Sequence, residues 1–333
     1  MTADRDPHVY VVTLNWNRAT ETCACVNSVL RSDYSNLSVV VCDNASKSES
    51  VDAIRDWLGT QEAALRGGAW QELERSQIAV TPAASPGQHV LIHTAGNLGF
   101  AGGMNVGVQY ALQQGRADYV WLLNNDAVVD RNALNELVEH MRADPAIGIC
   151  GSTLLEFIDR QRVEGYGGAT YEPWLGRSRA IGAFSDIDSV PEQPQAVEQA
   201  MAYVIGASML VSRRLLETVG LMDERYFLYS EEQDWALRAR RAGFRLGYAP
   251  RSLVYHKQGS SIGTSPHGGS DLSLFYLNRA KVMFTTRHYR WLLPSVLTWL
   301  GWESLKFILK GSPRKARASL RGILAAWTGA HFQ

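Results

Sequence analysis

Three groups of polar residues stand where apolar runs of the chain end, and their types suit a charged, hydroxyl-bearing ligand. "YVWLLNNDAVVD", residues 119–130, passes from aromatic and aliphatic residues straight into Asn124, Asn125 and Asp126. "LYSEEQDWALRARRAG" places Glu231, Glu232 and Asp234 behind an aromatic run, and "VYHKQGSS" carries His256 after an apolar stretch. A carboxylate with an imidazole suits Mn2+ or Mg2+ bound to a diphosphate. A carboxylate held at a helix start can act as a general base. Each group also has a plainer reading. Asn and Asp make turns readily, and a lone His is more often structural than a ligand. A well-capped helix would explain the acidic cluster. Ser230 and Gln233 have capping-box spacing, Glu231 and Glu232 fall in the first turn, and Asp234 and Arg238 are four apart.

These residues need a scaffold that gathers them. "HVYVVTLNW" is dense in Val and Tyr and predicts a buried strand. Thr20 is placed to cap the helix that follows. "LSVVVCDNAS" predicts a second strand ending in Asp43 and Asn44, with Ser46 and Glu49 at capping-box spacing for the next helix. "HVLIHTAGN" reads as a third strand, and "GFAGGMNVGVQYALQQG" turns through glycines into a helix. Residues 119–130 read as a fourth strand, "IGICGSTLL" as a fifth, "AYVIGASMLVSRRLLETVG" as strand then helix, and "RLGYAPRSLVYHKQGSS" as the end of the sheet. Residues 59–88 have weak pattern and read as a surface connection; residues 156–200 read as a loop-rich or mixed-strand segment over the cleft. This alternation predicts an α/β protein with a doubly wound, mostly parallel sheet flanked by helices. Asn15 and Asn17, Asp43 and Asn44, Asn97, and Asn124 with Asp126 then share the carboxyl edge, where open α/β sheets bind ligands. Four polar strand ends on one edge favour a binding cleft over four unrelated turns.

Composition narrows the class. With 333 residues the chain has ample material for a core, and its 33 basic and 33 acidic residues cancel, so no net field recruits nucleic acid. The four cysteines (Cys23, Cys25, Cys42, Cys150) lack paired zinc spacing and read as reduced thiols packed as small hydrophobes. "GNLGFAGGMNVG" is G-x-x-G-x-x-G, which is not the dinucleotide fingerprint, and no P-loop sequence occurs. A glycine-rich turn still allows close approach of backbone to a phosphate or sugar. The first residues lack the apolar core of a signal peptide, and the most apolar run is broken by Pro294, Glu303 and Lys306. A cytoplasmic protein is the expectation.

Taken in order, "VVTLNWNR", "VVVCDNAS", "NLGFAGGMNVG", "WLLNNDAVV", "VIGASMLVSRRLLETVGLMDERYFLYSEEQDWALRARRAG" and "VYHKQGSS" make the chain resemble the inverting glycosyltransferases of family 2, with the GT-A fold, from about residue 8 to about 288. Within the family it is most similar to rhamnosyltransferases of bacterial surface polysaccharide assembly. The resemblance implies a nucleotide-binding half over about 8–150, an acceptor and catalytic half over about 151–288, and a helical extension over 289–333. It implies that Asp43 hydrogen-bonds a pyrimidine base, with Asn15 and Asn17 beside it. Asn97, Gly99 and Gly102 contact nucleotide and sugar. Asn124, Asn125 and Asp126 stand for the Asp-x-Asp motif, with Asp126 and His256 near the metal. Glu232 matches the catalytic carboxylate, and Trp235 and Arg238 follow it. Two departures stand out. Asn-Asn-Asp has one anionic ligand fewer than the motif, and Glu231-Glu232 replaces a Glu-Asp pair, so the base is one methylene longer.

The implied reaction moves a sugar from a nucleotide-sugar donor to a hydroxyl of a saccharide or lipid-linked acceptor, with a divalent metal, Mn2+ or Mg2+. The donor expected is dTDP-L-rhamnose, with a UDP-hexose as the alternative. Two rivals are a sugar nucleotidyltransferase, whose glycine-rich N-terminal loop is absent here, and a non-catalytic nucleotide-sugar binding module. Residues 289–333 mix Trp291, Trp299 and Trp302 with many basic residues and only one acidic residue, Glu303. Such a helix suits the surface of an anionic bilayer, on the inner face of the cytoplasmic membrane. Packing on the catalytic domain or in a homodimer interface explains it equally well.

Overall fold

The first strands are apolar along their whole length because both of their faces are covered. In β1 (Val9–Asn15) Val9 and Val11 pack toward α1 (Ala19–Leu30), while Tyr10 and Val12 face the opposite core. The computed structural model that shows this describes residues 6–60, 63, 65, 70–82, 87–257 and 270–332. After α1 come β2 (Leu37–Asp43), α2 (Ser48–Leu58), β3 (Trp70–Glu74), β4 (His89–His93), α3 (Gly99–Gln113) and β5 (Tyr119–Leu123). The chain continues through β6 (Ala127–Val129), α4 (Ala133–Ala143), β7 (Ile147–Glu156), β8 (Val163–Tyr166), β9 (Gly168–Glu172), β10 (Arg177–Ala180) and α5 (Gln195–Ala200). It then forms β11 (Tyr203–Val204), β12 (Ser208–Ser212), α6 (Arg213–Val219), α7 (Glu231–Arg241) and β13 (Arg245–His256). Three helices end it: α8 (Asp271–His288), α9 (Leu293–Leu309) and α10 (Pro313–Thr328).

The main sheet runs β3-β4-β2-β1-β5-β12-β7-β13-β6, with β8 added beside β7. From β3 to β5 every pairing is parallel. β12 then enters antiparallel between β5 and β7, and β13 resumes a parallel pairing with β7. One core lies under α1, α2 and α4, the other under α3, α6 and α7, so the sheet is covered on both faces. A separate three-stranded sheet, β10-β9-β11, is built from the 156–200 region and its neighbour.

Several local expectations are corrected. Residues 119–130 are not one strand. Ala127 N–H donates to the Asn124 carbonyl, turning the chain, and β6 leaves to pair with β13. The 59–88 connection contains an edge strand, β3, in parallel register with β4, and a 3-10 turn over Arg75–Val80; residues 61, 62, 64, 66–69 and 83–86 lie outside the described residues. Residues 258–261 of "VYHKQGSS" do so too. None of the three capping predictions holds. α1 begins at Ala19, ahead of Thr20, and α2 is entered through Lys47 without a side-chain cap. Ser230 sits at the start of α7 with left-handed backbone and makes no cap bond, while Gln233 reaches Ser178 instead.

The glycines of α3 serve packing. A Cβ on Gly103 would lie 2.4 Å from a Leu14 methyl, and one on Gly107 2.4 Å from a Val12 methyl. They let the helix lie close on β1. All four cysteines are free, three of them buried. Among the described residues no helix is long and apolar enough to cross a membrane.

Candidate active site

Parallel register brings the strand ends together. Asn15, Asp43 and His93 stand side by side across β1, β2 and β4. Asn15 Nδ2 donates to Asp43 Oδ1 at 2.8 Å, and the Ser46 N–H donates to Asp43 Oδ2 at 3.1 Å. Burial pushes the Asp43 carboxyl up, but hydrogen bonds from His93, Ser46 and Asn15 outweigh it and hold the group below its ordinary value. Ser46, expected as a cap, instead ties this edge together: its Oγ accepts from Asn15 Nδ2 and from the Asn17 N–H. Asn17 in turn accepts from the Lys47 N–H.

A cavity of about 710 Å³ opens beside these ends. Asn97, Gly99, Asn124 and Asn125 line it, with Trp16 and Asn44. Its far wall is apolar: Phe227, Leu228, Leu272, Tyr276 and Phe332. Asn44 fixes the turn before α3, donating to the Asn97 side chain and the Gly99 carbonyl and accepting from the Leu98 N–H. Gly99 is required by geometry. Its φ is +71°, and a Cβ there would meet the Phe227 carbonyl oxygen at 2.2 Å. Phe100 N–H donates to that same oxygen at 2.7 Å, so the α3 turn is locked to the segment preceding α7. Gly102 sits over Leu98 near the Glu224 carboxylate, inside the helix rather than on the cavity wall.

The segment before α7 is bent hard. Phe227, Tyr229 and Ser230 all have positive φ, and the Leu228 N–H bonds back to the Tyr226 carbonyl at 2.6 Å. Non-glycine residues adopt such backbone only when their surroundings hold them there. Phe227 is held by stacking on Tyr276, 4.7 Å between ring centres. The bend delivers Glu231 and Glu232 to the start of α7. Each carboxylate keeps one buried oxygen, Oε2, with no hydrogen-bond partner among the described residues. Burial raises the Glu232 carboxyl to about 7, and burial with the adjacent Glu232 charge raises Glu231 well above its ordinary value. Glu232 lies next to Gly206, whose missing side chain leaves room between Glu232 Oε1 and the Phe100 ring that lines the cavity.

The remaining α7 residues are tied into the scaffold. Asp234 is fully buried, 2.6 Å from Arg238 Nε and 2.6 Å from His288 Nε2. Arg238 also donates to the Val219 and Leu221 carbonyls. Trp235 is buried and donates to the Gly220 carbonyl.

A second polar cluster adjoins Asn124 of the cavity wall. His256 Nε2 is 3.2 Å from Asp126 Oδ1 and 3.3 Å from Asn124 Nδ2, while its Nδ1 is 2.9 Å from Glu164 Oε2. Burial disfavours the imidazolium, but the Asp126 and Glu164 carboxylates outweigh it and raise the group to about 10. Asn125 turns away, donating to Thr22 Oγ1. Among the described residues no three or more His, Cys, Asp or Glu side chains form a metal cage by themselves. A carboxylate beside an imidazole whose other nitrogen is fixed by a second carboxylate is nonetheless the donor set that Mn2+ or Mg2+ accepts when diphosphate oxygens complete the shell.

Three contributors escaped the sequence reading as site residues: His93, Glu164 and Glu224. Asn44 was visible as a strand end. Glu164 and His93 carried no local signal, since each meets its partners only through the sheet. His93 bridges Glu72 and Asp43, and these carboxylates overcome burial to lift it to about 9.

Fold and cleft together define the GT-A class of α/β proteins. The chain is similar over 97% of its length to the mannosyltransferase PcManGT of Pyrobaculum calidifontis, solved with GDP-Man and Mn2+, which it covers to 88% at 14% identity and a TM-score of 0.55. It is also similar to GalNAc-T7, solved with UDP, GalNAc and Mn2+, over 83% of this chain and 48% of that one, at 15% identity and a TM-score of 0.56. Residues 7–266 match the family described as glycosyltransferase-like family 2, and the chain belongs to that family. Among curated relatives, the low-salt glycan biosynthesis hexosyltransferase Agl10 of Haloferax volcanii is 27% identical over 168 residues, 50% of this chain and 51% of the relative. The N-acetylglucosaminyl-diphospho-decaprenol L-rhamnosyltransferase of Mycobacterium tuberculosis is 30% identical over 122 residues, 36% of each chain. The match thus spans about half or less of these relatives' lengths.

Proposed function

We propose that the protein is an inverting sugar transferase that moves L-rhamnose from dTDP-L-rhamnose to a hydroxyl of a glycan or lipid-linked saccharide. The observation that carries this is Glu232: a carboxylate behind the Phe100 ring of the cavity wall, with an affinity for protons near neutrality. Such a group is matched to general-base work at physiological pH. The L-rhamnosyltransferase among the relatives supports the donor. A UDP-hexose is the second reading, supported by the hexosyltransferase relative, since uracil and thymine present the same N3–H.

In this reading the 8–150 half binds the nucleotide and the 151–288 half presents the base and acceptor. Asp43, Asn15 and Asn17 hold the pyrimidine end, and Asn97, Gly99 and Asn124 hold the ribose, diphosphate and sugar, while Gly102 and Asn125, expected among these contacts, serve the helix packing and the bond to Thr22 instead. Glu232 takes the proton of the acceptor hydroxyl. The acceptor oxygen bonds to the anomeric carbon from one face while the bond to the diphosphate breaks on the other, so configuration inverts and the electron pair leaves on the nucleoside diphosphate. Asp126 and His256 would hold a divalent cation, with Glu164 orienting the imidazole. That cation, when bound, supplies stabilisation of negative charge on the leaving diphosphate.

The Glu232→Gln variant tests the assignment. Sugar transfer should fall by about 10²–10⁴-fold while nucleotide binding is retained. Transfer at the wild-type rate would remove Glu232 from the mechanism.

A further inference from the structure

The last two helices carry apolar residues on their solvent-facing sides as well as on their packed ones. On α9 the packed stripe is Val296, Leu300 and Ser304, yet the opposite, solvent-facing stripe is Trp302, Leu305 and Leu309. On α10 the packed stripe includes Ala318, Gly322 and Ala325, and Leu320, Leu324 and Trp327 are exposed. Leu309 is 72% and Leu324 64% exposed. Surface helices normally keep the outer face charged or polar.

The two exposed stripes form one surface. Around α9, the residues packed with Val282 of α8 are followed by Ser304, whose Oγ lies 2.6 Å from Ser319 Oγ of α10; Leu305 comes next, about 100° further round. Around α10, Gly322 lies against the Phe275 carbonyl of α8, Ser319 faces α9, and Leu320 again comes about 100° further round. The hairpin is antiparallel, with a turn at residues 310–312. Equal steps in the same sense therefore rotate both stripes to one side of the bundle, away from α8. Exposed cations border this surface: Lys310 at one edge, Arg317 and Arg321 at the other. The single acid in 289–332, Glu303, is 2.6 Å from Lys306 Nζ.

We propose that this face of the α9–α10 hairpin docks on an anionic lipid bilayer, with the Trp and Leu side chains in the interface and the flanking cations on the headgroups. Charge decides between this occupant and a second copy of the chain. A two-fold contact would set the face against itself, bringing the cationic borders together without acids to answer them. An anionic surface neutralises both borders at once, and long cationic side chains can reach headgroups from beside a buried apolar stripe. Four residues beyond Trp327, His331 and then Phe332 line the cleft cavity with Leu272 and Tyr276, so the hairpin end that docks also forms part of that cavity's wall. This surface stands independently of the proposed transfer reaction.

The test is flotation of the full chain with phosphatidylcholine vesicles, with and without phosphatidylglycerol, beside a Leu309→Gln/Leu324→Gln/Trp327→Gln variant. Wild type should float with the anionic vesicles, release at high salt, and bind neutral ones weakly. The variant should keep its melting temperature and lose vesicle affinity by at least ~10-fold. An Arg317→Gln/Arg321→Gln variant should lose the preference for anionic lipid. No binding to anionic vesicles, or equal binding by the triple variant, would overturn the proposal. So would a dimer in light scattering that the triple variant abolishes, which would assign the face to a second copy.

Discussion

Glu232 and Asp234 are two residues apart on one helix and have opposite environments. Asp234 is surrounded by Arg238, Arg287 and His288. Burial pushes its carboxyl up, but these partners hold it below its ordinary value. Its contribution to stability is therefore present above the carboxylate range and is lost as pH falls through it. Asp234→Asn should cost about 3–5 kcal/mol in denaturant unfolding near neutral pH, because it strips the buried partner from cations. Glu232 is the reverse case, a carboxyl raised to about 7. In the proposed reaction the base must be ionised to work, so kcat/KM should rise with pH through about 7. The same shift means that ionising Glu232 weakens the fold as pH rises from its unfolded value toward 7. Glu232→Gln should then match wild type in melting temperature at acidic pH and exceed it at alkaline pH. A flat rate profile between pH 5 and 8 would contradict this account of Glu232. Residue types alone suggested every one of these groups, but not which acid was free. That distinction comes from His288 and Arg287, some fifty residues away in sequence.

At the scale of elements, the bent segment 226–230 and the α3 turn depend on each other. Gly99 accepts the Phe227 carbonyl against its backbone, and that carbonyl accepts the Phe100 N–H. Gly99→Ala should destabilise by on the order of 2–3 kcal/mol, from positive φ and the clash together. It should lower transfer beyond what the lost stability explains, because the proposed base, Glu232, opens the helix that follows the displaced segment. Wild-type unfolding in this variant would show that the contact is not needed. Long parallel strands were legible as Val-rich runs, because burial on both faces leaves no room for polar alternation. β3 was not, since "WQELE" lies at the sheet edge and keeps polar residues. The split of β5 from β6 was hidden because the run resumes at once with Ala127, Val128 and Val129. The capping patterns misled for one reason: Ser46 and Ser230 have stronger demands on them from the sheet edge and the bent segment than from a helix start.

Across the whole molecule, the sheet gathers a polar carboxyl edge, an apolar-walled cavity and a His–carboxylate pair beside one another. The order of motifs along the chain made the family and the carboxyl-edge location readable before any coordinates. Glu164, which orients His256 from 92 positions away, was not readable, because β8 joins the sheet only by pairing with β7. On the proposed function this cleft binds a pyrimidine nucleotide sugar with a divalent ion. The most direct measurement is a thermal-shift panel of dTDP, UDP, GDP and ADP, each with and without Mn2+, on wild type and Asp126→Ala. A ligand that binds only the folded state raises the melting temperature by mass action. The account predicts a shift with dTDP or UDP that Mn2+ increases, and loss of that increase in Asp126→Ala. No shift with any nucleotide, or an equal Mn2+ increment without Asp126, would contradict it.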